Sequence, residues 1–217
     1  ELATPTTFRL FNNEWSKVHV VETARPEHAR HEQRTIAEIA REAGHDPLDA
    51  MLDLAIAEDL QTVFTAQLLN SDEEAVGRML NHPNSIVSLS DAGAHLTFFN
   101  DAGFGLHLLG HWARERGAMP MEEAVRRLTS HPAAVLGLEG RGLIREGYAA
   151  DLMLFDPRTV GRGPNRRMHD LPAGGARLTT DAVGVRGVWV NGRQVVDMGG
   201  LVAEVPRAGL LLTEFNR

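Results

Sequence analysis

Apolar positions follow two different periods along this chain, and the change from one to the other divides it. Residues 1–14 show no clear period, although residues 8–11 fit the end of a strand. Residues 17–22 alternate, with Val18, Val20 and Val21 around His19, and predict a short strand. A helix follows. Thr35 and Glu38 form a capping box, Ile36, Ile39, Ala40 and Ala43 make its apolar face, and Gly44 stops it. Asp46-Pro47 opens a second helix that runs through Met51, Leu52, Ala55 and Ile56. The β-branched and aromatic run at 62–66 predicts a strand. Ser71 and Glu74 form a further capping box, for a helix to about Leu80, and the alternating S-I-V-S-L-S run at 85–90 predicts another strand. The order strand, helices, strand, helix, strand suggests parallel α/β organisation.

Helices are predicted again over 104–116 and from Pro120 through Ala124, Val125 and Leu128. Glu122 and Glu123 suit the positive end of the second helix dipole. Residues 133–138 read as a short apolar turn. Past 139, glycines and short β runs take over at 151–155, 183–190 and 194–197, with Asn191-Gly192 as a hairpin turn between the last two. A domain boundary near 139 is therefore expected, with 1–138 mixed and 139–217 all-β. The tail from 201 to 217 is apolar in patches and is expected to pack on something. No internal repeat is visible.

A chain of 217 residues can bury one good core or two modest ones. Its 43% hydrophobic and 24% charged residues are ordinary for a soluble protein, and no run of about 18 apolar residues supports a membrane span. The net charge of −7 argues against a nucleic-acid partner. Arg162, Arg166 and Arg167, set among Gly161, Gly163 and Pro164, read as a loop rather than a phosphate site. The lack of cysteine excludes disulfides and is compatible with a reducing, cytoplasmic compartment. It also leaves only nitrogen and oxygen ligands for any metal. The opening residues lack the blocks of a signal peptide and an initiator Met, so a piece of a longer protein is expected.

Four motifs then occur in order. Leu89-Ser90-Asp91-Ala92-Gly93-Ala94-His95 comes first, followed by Leu128-Thr129-Ser130-His131-Pro132-Ala133 with Leu136-Gly137-Leu138. Arg141-Gly142 then leads through Gly147-Tyr148-Ala149-Ala150-Asp151-Leu152-Met153-Leu154-Phe155-Asp156-Pro157, and Val188-Trp189-Val190-Asn191-Gly192 comes last. Together they resemble the C-terminal portion of the amidohydrolase superfamily, in its D-aminoacylase (N-acyl-D-amino-acid deacylase) branch, over roughly residues 32–200. The resemblance implies an α/β fold: the last strands and helices of a TIM-type barrel over 1–138, then C-terminal strands of a small β-sandwich over 139–217.

The same resemblance implies hydrolysis of an amide of an N-acylated amino acid. A metal lowers the pKa of its bound water towards about 7, and the hydroxide attacks the carbonyl. A carboxylate takes the water proton and delivers it to the departing nitrogen. Asp91 fits that role at the end of the 85–90 strand, and also as a metal ligand. Ser90 and His95 are the candidate substrate contacts beside it. The family's His-x-His pair and its remaining ligands have no match here. One or two Zn²⁺ ions, held mostly by residues outside this chain, are therefore implied. A missing N-terminal half or homo-oligomerisation would then be needed to complete the enzyme.

His107 and His111 are four apart on one helix, yet Leu-Leu-Gly separates them with no Glu to act as base, so they read as packing or surface residues. His19 has no matching ligand, and His131 before Pro132 reads as part of a helix-breaking turn. Asp151 and Asp156 bracket a strand and read as its ends. Two other readings stay open: a catalytically incomplete fragment with a structural or assembly role, and another activity of the superfamily, such as a deaminase or cyclic amidase.

Overall fold

The computed structural model describes residues 11–90, 92–204, 207–213 and 215. They fall into two compact units, one up to Val76 and one from Gly77.

In the first unit, β1 (Val18–Glu22) pairs antiparallel with β2 (Val63–Ala66). Between them lie α1 (Ile36–Ala43) and α2 (Pro47–Ala57). The expected capping box is present: Thr35 accepts from the Glu38 N–H, and the Glu38 carboxylate accepts from the Thr35 N–H. Gly44 ends α1 at φ 69°, in the left-handed region that favours glycine. Asp46 caps α2 through the Leu48 N–H. The alternation of β1 and the three-to-four spacing of α1 aim at one core of Val18, Val20, Ile36, Ile39 and Leu54. Phe11, Trp15, Met51 and Phe64 close over it, with the Phe11 and Trp15 rings edge to face at 4.9 Å.

In the second unit, α3 (Glu73–Asn81), which begins in the first, leads through a turn at 83–84 to a stretch without regular structure at 85–90. After that come α4 (Phe104–His107), a π-helical continuation (Leu108–Glu115), α5 (Met121–Leu128) and α6 (Ser130–Leu136). Leu108, Leu109, Trp112, Ala113, Met119, Ala124, Ala133 and Val160 are its buried apolar residues. The β part comprises β3 (Leu152–Phe155), β4 (Gly161–Leu171), β5 (Gly175–Val183), β6 (Val185–Val190), β7 (Arg193–Asp197) and β8 (Gly200–Leu201). They form a four-stranded sheet in the order β3-β6-β7-β8 and a separate β4-β5 hairpin. Asn191 and Gly192 both take positive φ in the β6–β7 turn, as the Asn-Gly pair predicts.

Several expectations are corrected. Every paired strand among the described residues runs antiparallel, so the parallel ladder suggested by element order is not displayed by them. Residues 85–90 form no strand, because no neighbouring described strand offers a ladder. Asp72, not Ser71, caps α3, accepting from the Ala75 N–H at 3.0 Å. The apolar turn at 133–138 is the end of helix α6, which begins at Ser130; Pro132 falls in its first turn, where no N–H is needed. Arg162, Arg166 and Arg167 lie in β4, not in a loop. Of the tail, Leu210 and Leu211 are exposed rather than packed, while Ala208 O accepts from Asn191. Residues 8–10 lie outside the described residues.

Candidate functional site

Asp91 lies outside the described residues, and the chain on either side of it is held by arginines. Upstream, Arg127 of α5 is 3% exposed and reaches the segment that leads to Ser90. Its guanidinium donates to the backbone oxygens of Asn81 (3.0 Å), His82 (3.3 Å) and Ser85 (3.4 Å). Its charge is met by Glu123 one turn earlier, at 2.8 Å. Glu123 also pairs with Arg126, and these contacts, Arg126 first, hold its carboxyl down to about 2. A buried guanidinium with a carboxylate and several carbonyls has nearly all its donors satisfied, which is what makes it tolerable inside.

Downstream, the β4–β5 hairpin grips the loop that follows Asp91. The Leu178 N–H donates to Leu96 O at 2.8 Å. Arg167 donates to Thr97 O at 2.9 Å, and Arg162 to Asn100 O at 2.8 Å. Asn100 and Arg162 also share Asn165 Oδ1. The three arginines that sequence spacing assigns to a loop thus sit on a strand, and two of them fix loop backbone.

Within that loop, Ser90 Oγ accepts from the Ala92 N–H at 3.1 Å, so the hydroxyl shapes the turn. His95 is exposed, takes φ 52° and stacks on Phe98 at 5.0 Å. Its backbone oxygen accepts from the Phe98 and Phe99 N–H groups, which closes a turn. Ser90 and His95 thus lie on either side of position 91 in sequence, with His95 exposed.

Arg127 is the residue sequence reasoning missed. Its one visible signal was an arginine on the apolar side of an otherwise charged helix.

The other histidines divide clearly. His107 and His111 stack at 4.7 Å and 9°, and His111 faces Glu115 at 3.5 Å. In the first unit, Glu58 is 1% exposed and accepts from the N–H groups of Ala24 and Arg25 and from His28 Nδ1 (2.8 Å). Desolvation raises the Glu58 pKa, but the hydrogen bonds from Ala24, His28 and Arg25 outweigh it and leave it lowered. This cradle pins the turn after β1. Asp151 accepts from the Asn191 N–H and Arg141, and Asp156 from Arg186 and the Arg158 N–H, so both tie strand ends. Among the described residues, no three His, Asp or Glu side chains are placed to hold a metal ion.

A model of the amidohydrolase family matches residues 3–196. This chain belongs to the amidohydrolase family. Among the relatives of this amidohydrolase, a D-aminoacylase of Alcaligenes xylosoxydans xylosoxydans is 33% identical over 164 residues, 75% of this chain and 30% of the relative. An N-acyl-D-aspartate deacylase of the same organism is 32% identical over 177 residues, 80% of this chain and 32% of the relative. The chain thus spans about a third of the length of these curated relatives. Two solved structures of D-aminoacylase, one described with the functional role of that enzyme's binuclear metal centre, match with a TM-score of 0.51. Their identities to it are 27% and 28%, over 86% of this chain and 36% of theirs. Among the described residues no helix is long and apolar enough to cross a membrane.

Proposed function

We propose that this amidohydrolase chain is the C-terminal part of a cytoplasmic enzyme that hydrolyses the amide of an N-acylated amino acid, with Asp91 moving the proton. The family match across residues 3–196, shared with deacylases, carries the proposal. Asp91 takes a proton from the attacking water and passes it to the departing nitrogen. Arg127 upstream and Arg162 and Arg167 downstream hold the described backbone on both sides of position 91. His95 and Ser90, four residues and one residue away, are the proposed substrate contacts.

Binuclear metal chemistry in the related D-aminoacylase suggests one or two Zn²⁺ ions here as well. The described residues do not make a three-ligand set for it, so its ligands, Asp91 apart, would come mostly from outside this chain.

Residues 1–138 are proposed as the last part of a TIM-type barrel and 139–217 as strands of a small sandwich. In support, the last described helix ends at Leu136 and the later elements are strands joined by a single-turn 3₁₀ helix. Leu152, Met153 and Leu154 on β3 are exposed, which fits cover by the remainder of a longer protein or by a second copy.

Asp91→Asn in the complete protein tests the proposal. Turnover of N-acetylated amino acids should fall by about 10²- to 10⁴-fold with the fold retained by circular dichroism. Near-normal turnover would place the proton transfer elsewhere.

A further inference from the structure

A groove of about 330 Å³ lies in the second unit, where the π-helical segment meets β4 and β5. His107, His111, Arg114, Glu115, Thr159 and Arg162 are among the residues that line it. Gly110 lets the helix come this close. A Cβ there would lie 2.7 Å from Val160 O and 2.9 Å from Gly161 Cα. Stretches of π-helix are costly and are found preferentially at functional sites.

The charges in the groove are not balanced. Arg114 is occupied by Glu115, at 2.7 Å, and by Val160 O. Arg162 donates only to neutral oxygens, of Asn100 and Asn165, and its buried Nε–H has no acceptor among the described residues. Two guanidiniums thus face one carboxylate before either imidazole is protonated. The His107 pKa is lowered, first by desolvation and then by His111 and Arg162, with Glu115 and Asp101 acting weakly the other way. Arg162 and the His107 ring beside it have no carboxylate at ion-pair distance among the described residues, whereas His111 faces Glu115 at 3.5 Å.

We propose that this groove binds a small oxyanion, with Arg162, His107 and His111 as its donors. A guanidinium and two imidazoles suit an anion with several oxygens better than a halide, because each can donate to a different oxygen. Carboxylate and phosphate share that chemistry. The inference does not rest on the proposed hydrolysis and is read by binding alone. Because Arg162 also holds Asn100 O, a bound anion acts on the same side chain that fixes the loop after Asp91.

Calorimetric titration of the complete protein with inorganic phosphate, against chloride at equal ionic strength, tests this. Saturable binding with a Kd on the order of 1 mM is expected. Arg162→Gln and His107→Gln should each weaken it at least about tenfold. His107 is exposed, so its variant settles the matter even if Arg162→Gln fails to fold. Arg177→Gln, which breaks a pair with Asp170 on the same hairpin, should bind as the parent does. In NMR the His107 ring should titrate at a higher pH in phosphate than in chloride. Acetate binding like phosphate would assign the site to carboxylates as well. Absence of saturable binding of either anion would overturn the proposal, as would undiminished binding by His107→Gln.

Discussion

At the residue scale, arginines donate to backbone oxygens on both sides of position 91, Arg127 upstream and Arg162 and Arg167 downstream. Arg127 is the most demanding, because burying a cation is costly unless its donors are met. Glu123 supplies the charge and three carbonyls supply the rest. Glu123→Gln should destabilise the protein by about 1–3 kcal/mol by leaving that cation without its carboxylate. The pH dependence gives a second readout. The folded pKa of Glu123, about 2, lies below its ordinary 4.5, so its contribution is complete above 4.5 and is lost as the pH falls towards 2. Acid unfolding followed by circular dichroism should therefore show a flatter loss for Glu123→Gln than for the parent across that window. Identical acid limbs would mean the pair contributes nothing to folding.

At the element scale, short helices owe their ends to side chains. The capping box on α1 satisfies two backbone groups at once, those of Glu38 and Thr35. Thr35→Ala should cost about 0.5–2 kcal/mol, measured by urea unfolding, and a change near zero would mean that packing of Ile36 and Ile39 alone sets the helix start. The segment at 85–90 shows the opposite situation. Its alternation is that of a strand, but alternation specifies only which side chains share a face, and a strand also needs a hydrogen-bonding neighbour. Ser85 instead turns its hydroxyl to Met79 O and His82 O, and Leu89 remains exposed. The basic run in β4 went unread as a strand for a related reason. Glycine and proline near Arg162 resemble turn chemistry, while the pairing of Arg166 with Thr179 and of Arg167 with Leu178 depends on β5, several residues further on.

At the scale of the whole molecule, each of the two units has a buried apolar set, and the four-stranded sheet carries apolar side chains in the open. Leu154 is 53% exposed and Leu152 37%. Isolated surface leucines are ordinary, but a row of them on one strand is the pattern of a covered face. In the complete protein Leu154→Lys should lower the unfolding free energy, measured by urea unfolding, by more than the roughly 0.5 kcal/mol of an ordinary surface change. A loss within that margin would show that β3 faces solvent there.

The sequence by itself determined those elements whose signals are local, and the family. Caps at Thr35 and Asp46, the Asn191-Gly192 turn and the four ordered motifs need only neighbouring residues, so they can be read along the chain. It also grouped Ser90, at the end of the 85–90 run, with Asp91 and His95 just past it, because they are close in sequence. Only the tertiary structure decided what holds that loop. Arg127 lies 42 residues from Ser85 and Arg167 lies 70 from Thr97, and their bonds run to backbone oxygens, which every residue carries and no motif marks. The pairing of β4 with β5 and the meeting of His107, His111 and Arg162 in one groove are likewise products of folding, since the charges that matter come together only when a helix and a hairpin pack.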